Sequence, residues 1–170
     1  MKVSLAKRSD LGHVERIGTA AMTCSFSGLL ADTTLSSWLD AAYSPAALAR
    51  RWQDHPMFLA WLAETPIAFA DAWVADSHIV LSALFTTPSH RRKGAASSLV
   101  GHVAELAPRL PMTSDLILGC HDAECFFERC GFVPGESLEV MLFGERVVER
   151  RWYREPAEDH AGHSRSVSAA

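Results

Sequence analysis

The chain reads as an α+β protein: about seven strands in a mostly antiparallel mixed sheet, with helices on both faces and one central parallel strand pair. Three observations predict this. Apolar segments follow the order strand, helices, three strands, helix, strand, helix, two strands. Residues 57–86 hold three strand-like runs joined by two short polar turns, which implies an antiparallel meander. Residues 78–120 then run strand, helix, strand, a crossover that leaves its two strands parallel.

Each element has a local reason. Residues 2–7 alternate apolar and polar, as a half-buried strand does. Asp10 suits a helix N-cap, and Leu11, Val14, Ile17 and Ala21 then form one helical stripe. Residues 23–32 carry Ser, Gly and Asp and are expected to be a loop. A second helix is predicted from Thr33 or Thr34, with Leu35, Trp38 and Leu39 apolar. Ser44-Pro45 starts a third, because Ser caps and Pro suits the first helical position. Leu48 and Trp52 share its face, and His55-Pro56 ends it. The runs 57–63, 67–74 and 78–86 are strands, separated by Glu64-Thr65-Pro66 and Ala75-Asp76-Ser77. After Gly94, the residues Leu99, Val100, Val103, Leu106 and Ala107 recur with helical period until Pro108 and Pro111 stop them. Residues 115–120 make a short buried strand, and 123–129 a short helix that Gly131 terminates. Residues 138–143 and 146–153 form a hairpin about Gly144-Glu145. A single domain is expected over residues 1–154, with a polar, flexible tail at 155–170.

Bulk properties narrow the function. A chain of 170 residues, 48% hydrophobic, builds one domain with a real core. A net charge of −4 makes nucleic acid an unfavoured partner. No apolar run approaches the roughly 18 residues of a membrane span, so no membrane partner is expected. The start Met1-Lys2-Val3-Ser4-Leu5 lacks the apolar core of a signal peptide, and a cytoplasmic location is expected. Cys120, Cys125 and Cys130 lie near His121, but their spacing is not a usual zinc arrangement. They read as buried free thiols, and no metal is expected.

One segment carries chemistry. The strand-like run Leu84-Phe85-Thr86 stops at Pro88, and His90-Arg91-Arg92-Lys93-Gly94-Ala95-Ala96-Ser97 follows into a helix. A helix start offers unpaired N–H groups and partial positive charge, which together suit an anion. Gly94 lets backbone approach a ligand, and Ala95 and Ala96 keep side chains out of the way. Arg91, Arg92 and Lys93 add charge suited to phosphate. In the nucleoside-triphosphate loop a lysine follows the second glycine, whereas here Lys93 precedes Gly94.

The pattern Arg91-x-x-Gly94-x-Ala96 resembles the acyl-CoA motif of the GNAT N-acetyltransferase superfamily. Ala123, Phe126, Phe127, Gly131 and Phe132 are similar to that family's second motif, with its Asn-like position near His121 or Asp122. The likeness is close over residues 84–100 and 121–132 and extends elsewhere by element order. It implies the GNAT fold and acetyl-CoA as co-substrate. By that likeness, backbone groups of Leu84 and Thr86 would pair with pantetheine. The N–H groups from Arg92 to Ser97 would hold the pyrophosphate, with Asp122 beside them, and Phe85 N–H would polarise the thioester carbonyl.

Two departures concern catalysis. The family's acid is a Tyr, and Phe127 stands in its place without a hydroxyl. A cysteine-type thiol titrates at about 8.5, so a thiolate is a tolerable leaving group at neutral pH, and water or Cys125 could supply the proton. The family's base is often a Glu on the strand before the first motif, and that position falls near Val80. His78 and Ser82 are two residues to either side of it, and His78 is the candidate base, because an imidazole takes a proton near neutral pH. Asp71 and Glu64 are further candidates.

The expected reaction is direct transfer of acetyl to a primary amine of a small molecule or peptide. Phe26, Trp38, Tyr43, Trp52 and Trp152 would shape the acceptor's surroundings, and Asp32, Asp40 and Glu149 would attract its amine. The alternative is an acyl-CoA-binding regulatory module with little turnover. The last hairpin offers an edge to a second copy, so a homodimer is expected beside the monomer.

Overall fold

Strands form where apolar residues alternate or run together, and short turns order them. The structure, a computed structural model, describes residues 1–156. Most of the tail expected at 155–170 lies outside the described residues. Seven strands, β1 (Lys2–Leu5), β2 (Met57–Leu62), β3 (Thr65–Val74), β4 (Ile79–Thr86), β5 (Met112–Ile117), β6 (Val133–Leu142) and β7 (Glu145–Arg154), form one sheet in the order β1-β2-β3-β4-β5-β7-β6. Neighbours are antiparallel except β4 and β5, as expected for a single crossover.

Among the described residues five α-helices cover the sheet: α1 (Leu11–Phe26), α2 (Asp32–Tyr43), α3 (Pro45–Asp54), α4 (Ala95–Ala104) and α5 (His121–Arg129). On one face Leu99, Val100 and Val103 of α4 and Phe127 of α5 pack with Ile79, Leu81, Met112 and Trp152. On the other, Val14, Ile17 and Met22 of α1, Leu35 of α2 and Leu48 of α3 pack with Met57, Leu59, Phe69 and Ile117. No helix among the described residues is long and apolar enough to cross a membrane.

Several boundaries depart from the sequence reading, each for a packing reason. α1 continues through Phe26, where a loop was expected, because Met22 and Phe26 extend its buried stripe and Phe26 meets Trp38 at 5.1 Å between ring centroids. Tertiary burial overrides the local Ser and Thr content there. α4 stops at Ala104, leaving Leu106 and Ala107 in a turn. β5 begins directly after Pro111 and ends at Ile117, so Leu118 to Cys120 turn toward α5, with Gly119 at φ +101°. β6 begins at Val133, since its pairing with β7 continues past an irregularity between Pro134 and Ser137.

The feature that positions a site is a β-bulge on β4. Asp71 faces Ala83 and Ala72 faces Leu81, so Ser82 is the extra residue. Ile79 and Leu81 belong to the α4-side core, whereas Ala83 and Phe85 belong to the α1–α3-side core. The side-chain alternation therefore switches faces at Ser82, as a bulge requires. β4 and β5 pair only at Ile79↔Met112 and Val80↔Thr113. Ser114 Oγ donates to Leu81 O at 2.8 Å just past that point, and the two strands then diverge.

Candidate active site

The divergence opens a groove whose first wall is the end of β4. Leu84, Phe85 and Thr86 pair with Ala70, Phe69 and Ala68 of β3 and meet no strand on their other side among the described residues. Backbone groups there are free to pair with an extended ligand. The strand end is pinned, because Thr87 N and Oγ1 both donate to Ile67 O, at 2.9 and 3.2 Å. A 3-10 turn at Pro88–His90 follows, and His90 Nδ1 lies 3.0 Å from both Thr87 Oγ1 and Ser89 Oγ. His90 is thus tied back into the turn.

The next residues form an anion cradle. Arg92 has φ +64° and Gly94 φ +82°, both left-handed. Such alternation curls successive N–H groups toward one side. Gly94 is the N-cap of α4 with no side-chain cap, and the first helical bond runs from Ser98 N to Gly94 O. The N–H groups of Ala95, Ala96 and Ser97 therefore point outward unpaired by the helix. Arg92, Lys93 and Gly94 are exposed, and Ala95 is buried beneath them. Arg91 Nη2 donates to Ser25 Oγ at 3.0 Å, and its Nη1 lies 4.0 Å from Asp122 Oδ2. The guanidinium so links the end of α1 to the start of α5 across the mouth of the groove. Ser97 Oγ lies 4.0 Å from Cys130 Sγ. The unpaired strand end Leu84 to Thr86 and the helix start from Arg91 to Ser97 are thus joined by one short turn, with Asp122 beside Arg91.

The catalytic candidates are placed differently. His78 precedes β4, 3.3 Å by Nδ1 from Ser77 Oγ, at the closed end where β4 and β5 are still paired. At about 3.3 Å per residue it stands roughly 13 Å along the strand from Ser82. Ser82 is the bulge residue itself, and its hydroxyl donates to Asp71 O at 3.2 Å. Phe127 is 3% exposed and packs on Phe132 and Trp152, with ring centroids 4.7 and 6.1 Å away. It fills the α4-side core. Glu64 is exposed in the turn between β2 and β3. Asp71 is buried under α3, where Arg51 Nε and Nη2 both donate to its Oδ2 at 3.0 and 2.6 Å, and its Oδ1 has no partner. Burial pushes the neighbouring Tyr43 phenol well above its usual range. Cys125 Sγ lies 3.5 Å from His121 Nε2 on the first turns of α5, and burial raises the Cys120 and Cys130 thiols.

Across the gap from the end of β4 lies a polar stripe of which the sequence reading named only Glu149. Arg151 forks onto Asp115, Nε to Oδ1 at 2.8 Å and Nη2 to Oδ2 at 2.9 Å. Tyr153 OH donates to Glu136 at 2.6 Å, a bond that lowers the Glu136 carboxyl and raises the phenol. Burial, and next the Asp115 carboxylate, raise the half-buried Glu149, with Arg151 opposing. The available signal was the period-2 series Val147, Glu149, Arg151, Tyr153 on a strand. Above this end of the sheet, Ala31 N donates to Glu145 Oε2 at 3.0 Å, and Leu29 lies against Gly119. The link between α1 and α2 therefore roofs the hairpin and the turn after β5.

A sheet split at a parallel pair, with an anion-ready helix start at the mouth of the split, is the architecture of an acyltransferase class of folds. The model of the acetyltransferase (GNAT) family matches residues 25–132, and the chain belongs to that family. No curated protein matches the chain. Among solved structures it is similar to a GCN5-related N-acetyltransferase from Rhodopseudomonas palustris, at 19% identity and TM-score 0.78, covering 91% of this chain and 94% of that one. It is similar to the PaiA N-acetyltransferase of Thermoplasma acidophilum in complex with coenzyme A, at 15% identity and TM-score 0.75, covering 91% and 99%. It also resembles the ribosomal-protein-S18-alanine N-acetyltransferase of Escherichia coli, at 15% identity and TM-score 0.71, covering 96% and 97%.

Proposed function

We propose that the protein transfers an acetyl group from acetyl-CoA to a primary amine of a small molecule or peptide by direct attack in a ternary complex, in the cytoplasm. The observation that carries this is an unpaired strand edge followed closely by an uncapped helix start. The edge at Leu84 to Thr86 leads through the turn at Pro88–His90 into the uncapped start of α4. The first suits the amides of pantetheine and the second a pyrophosphate.

Each residue then has a task. The N–H groups from Arg92 to Ser97 hold phosphate oxygens, and Arg91, anchored by Ser25 and Asp122, adds charge. Phe85 N–H is the donor toward the thioester oxygen. Most of the acceleration comes from holding amine and thioester together, which is worth about 7–11 kcal/mol at best. Phe127 supplies no proton, so the leaving thiolate is protonated from solvent. The acceptor approaches from the polar side of β5 and β7, under the roof formed by the α1–α2 link.

The test is thiol release from acetyl-CoA with ethanolamine, spermidine, kanamycin and an alanine-led tripeptide. Amine-dependent release with at least one of them is expected. Saturable binding of acetyl-CoA without release for any amine would favour the regulatory module instead, a reading suited to the missing hydroxyl at Phe127.

A further inference from the structure

We infer that Glu149 is the group that takes the proton from the incoming amine. This rests on the amine-acetylation reading above and adds to it the residue that activates the acceptor. Three observations carry it.

The first is register. Counting from Val80↔Thr113 and allowing one residue for the bulge at Ser82 sets Phe85 level with Ile117. Ile117 pairs with Glu149 across β5 and β7. Glu149 therefore stands at the level of Phe85, one strand beyond the gap, and neighbouring strands are about 4.8 Å apart. The second is direction. Phe85, Ile117 and Val147 all join the α1–α3-side core, and Glu149 follows Val147 by two residues. Its side chain faces that same side of the sheet, where the acceptor enters. The third is availability. Asp115 is occupied by the Arg151 fork and Glu136 by Tyr153, whereas Glu149 makes no ion pair or side-chain hydrogen bond among the described residues. It is half-buried with a free carboxylate.

Its surroundings suit a base. The charged groups acting on it are Asp115 on β5 and Arg151 on its own strand. β6 sets the uncharged Leu138 opposite it. Burial and Asp115 outweigh Arg151 and shift the carboxyl toward neutrality, where general bases work best.

In the step, two protons leave the ammonium nitrogen. Glu149 takes the first and later returns it to solvent. The neutral nitrogen forms the C–N bond at the carbonyl carbon. The second proton leaves after that bond has formed, the C–S bond breaks, and the CoA sulfur takes up a proton.

The experiment compares pH–rate profiles of kcat/KM for wild type, Glu149→Gln and Asp115→Asn, with the amine of the panel that wild type acetylates fastest. Glu149→Gln is expected to lower kcat/KM by about 10²-fold or more at pH 7, to lose the acidic limb, and to keep its acetyl-CoA Kd. Asp115→Asn is expected to keep the limb and move it to lower pH, because a charge that raises Glu149 is gone and Arg151 is released toward it. A Glu149→Gln enzyme that retains the acidic limb and stays within about 3-fold of wild type overturns the inference while leaving acetyl transfer intact. A wild type that acetylates no amine overturns the underlying reading instead.

Discussion

At Gly94 a missing side chain serves the backbone. Its φ is +82°, and an added Cβ would meet nothing within 4 Å. Substitution there therefore acts through backbone strain and local charge, not through collision. Gly94→Ala is expected to cost about 1–2 kcal/mol, a fall in Tm of roughly 2–8 °C by thermal melting. This residue and its neighbours were legible in the sequence because everything they need is contiguous: strand, proline, basic triplet, glycine, helix. Glu149 was legible only as a charge that would attract an amine. Its level with Phe85 depends on a bulge at Ser82 and on β7 lying beside β5, and neither is written locally. His78 shows the same limit in reverse, since parity within the strand pointed to it while the groove opens at the other end. Phe127 sat in the motif as expected, but only the packing against Phe132 and Trp152 shows how deep its ring lies.

Among elements, the tie between α3 and β3 backs the bulge on β4. Arg51 bonds Asp71 and also Ala42 O at 3.0 Å, so one guanidinium joins α2, α3 and β3. The carbonyl of the same Asp71 accepts the bulge hydroxyl of Ser82. Breaking this pair strands a charge. Asp71→Leu is expected to cost on the order of 3 kcal/mol in urea denaturation, while Asp71→Leu with Arg51→Met should recover most of the loss. A single variant as stable as wild type would show the pair to be idle. Element boundaries were the least legible part. α1 overruns its expected end because burial of Phe26 outweighs local composition, and β6 begins early because β7 is long enough to hold it. Both are effects of partners far along the chain.

For the whole molecule, the order of elements was readable because connections are short and the crossover rule leaves few topologies. The seven strands and the parallel β4–β5 pair agree with that expectation. What the order does not contain is the split itself, which arises when β5 turns to β7 as its long partner and keeps only two paired residues with β4. In the proposed reaction, the donor's handle sits at the start of α4 and the acceptor approaches over β5 and β7 on either side of that split. The central claim, that the turn from Arg91 to Ser97 holds the pyrophosphate of acetyl-CoA, is most directly tested by calorimetric titration of wild type and Gly94→Asp with acetyl-CoA. Wild type should bind saturably, and the variant, folded by circular dichroism, should lose about 100-fold or more in Kd, some 2.7 kcal/mol. A folded Gly94→Asp protein with wild-type affinity would contradict the claim.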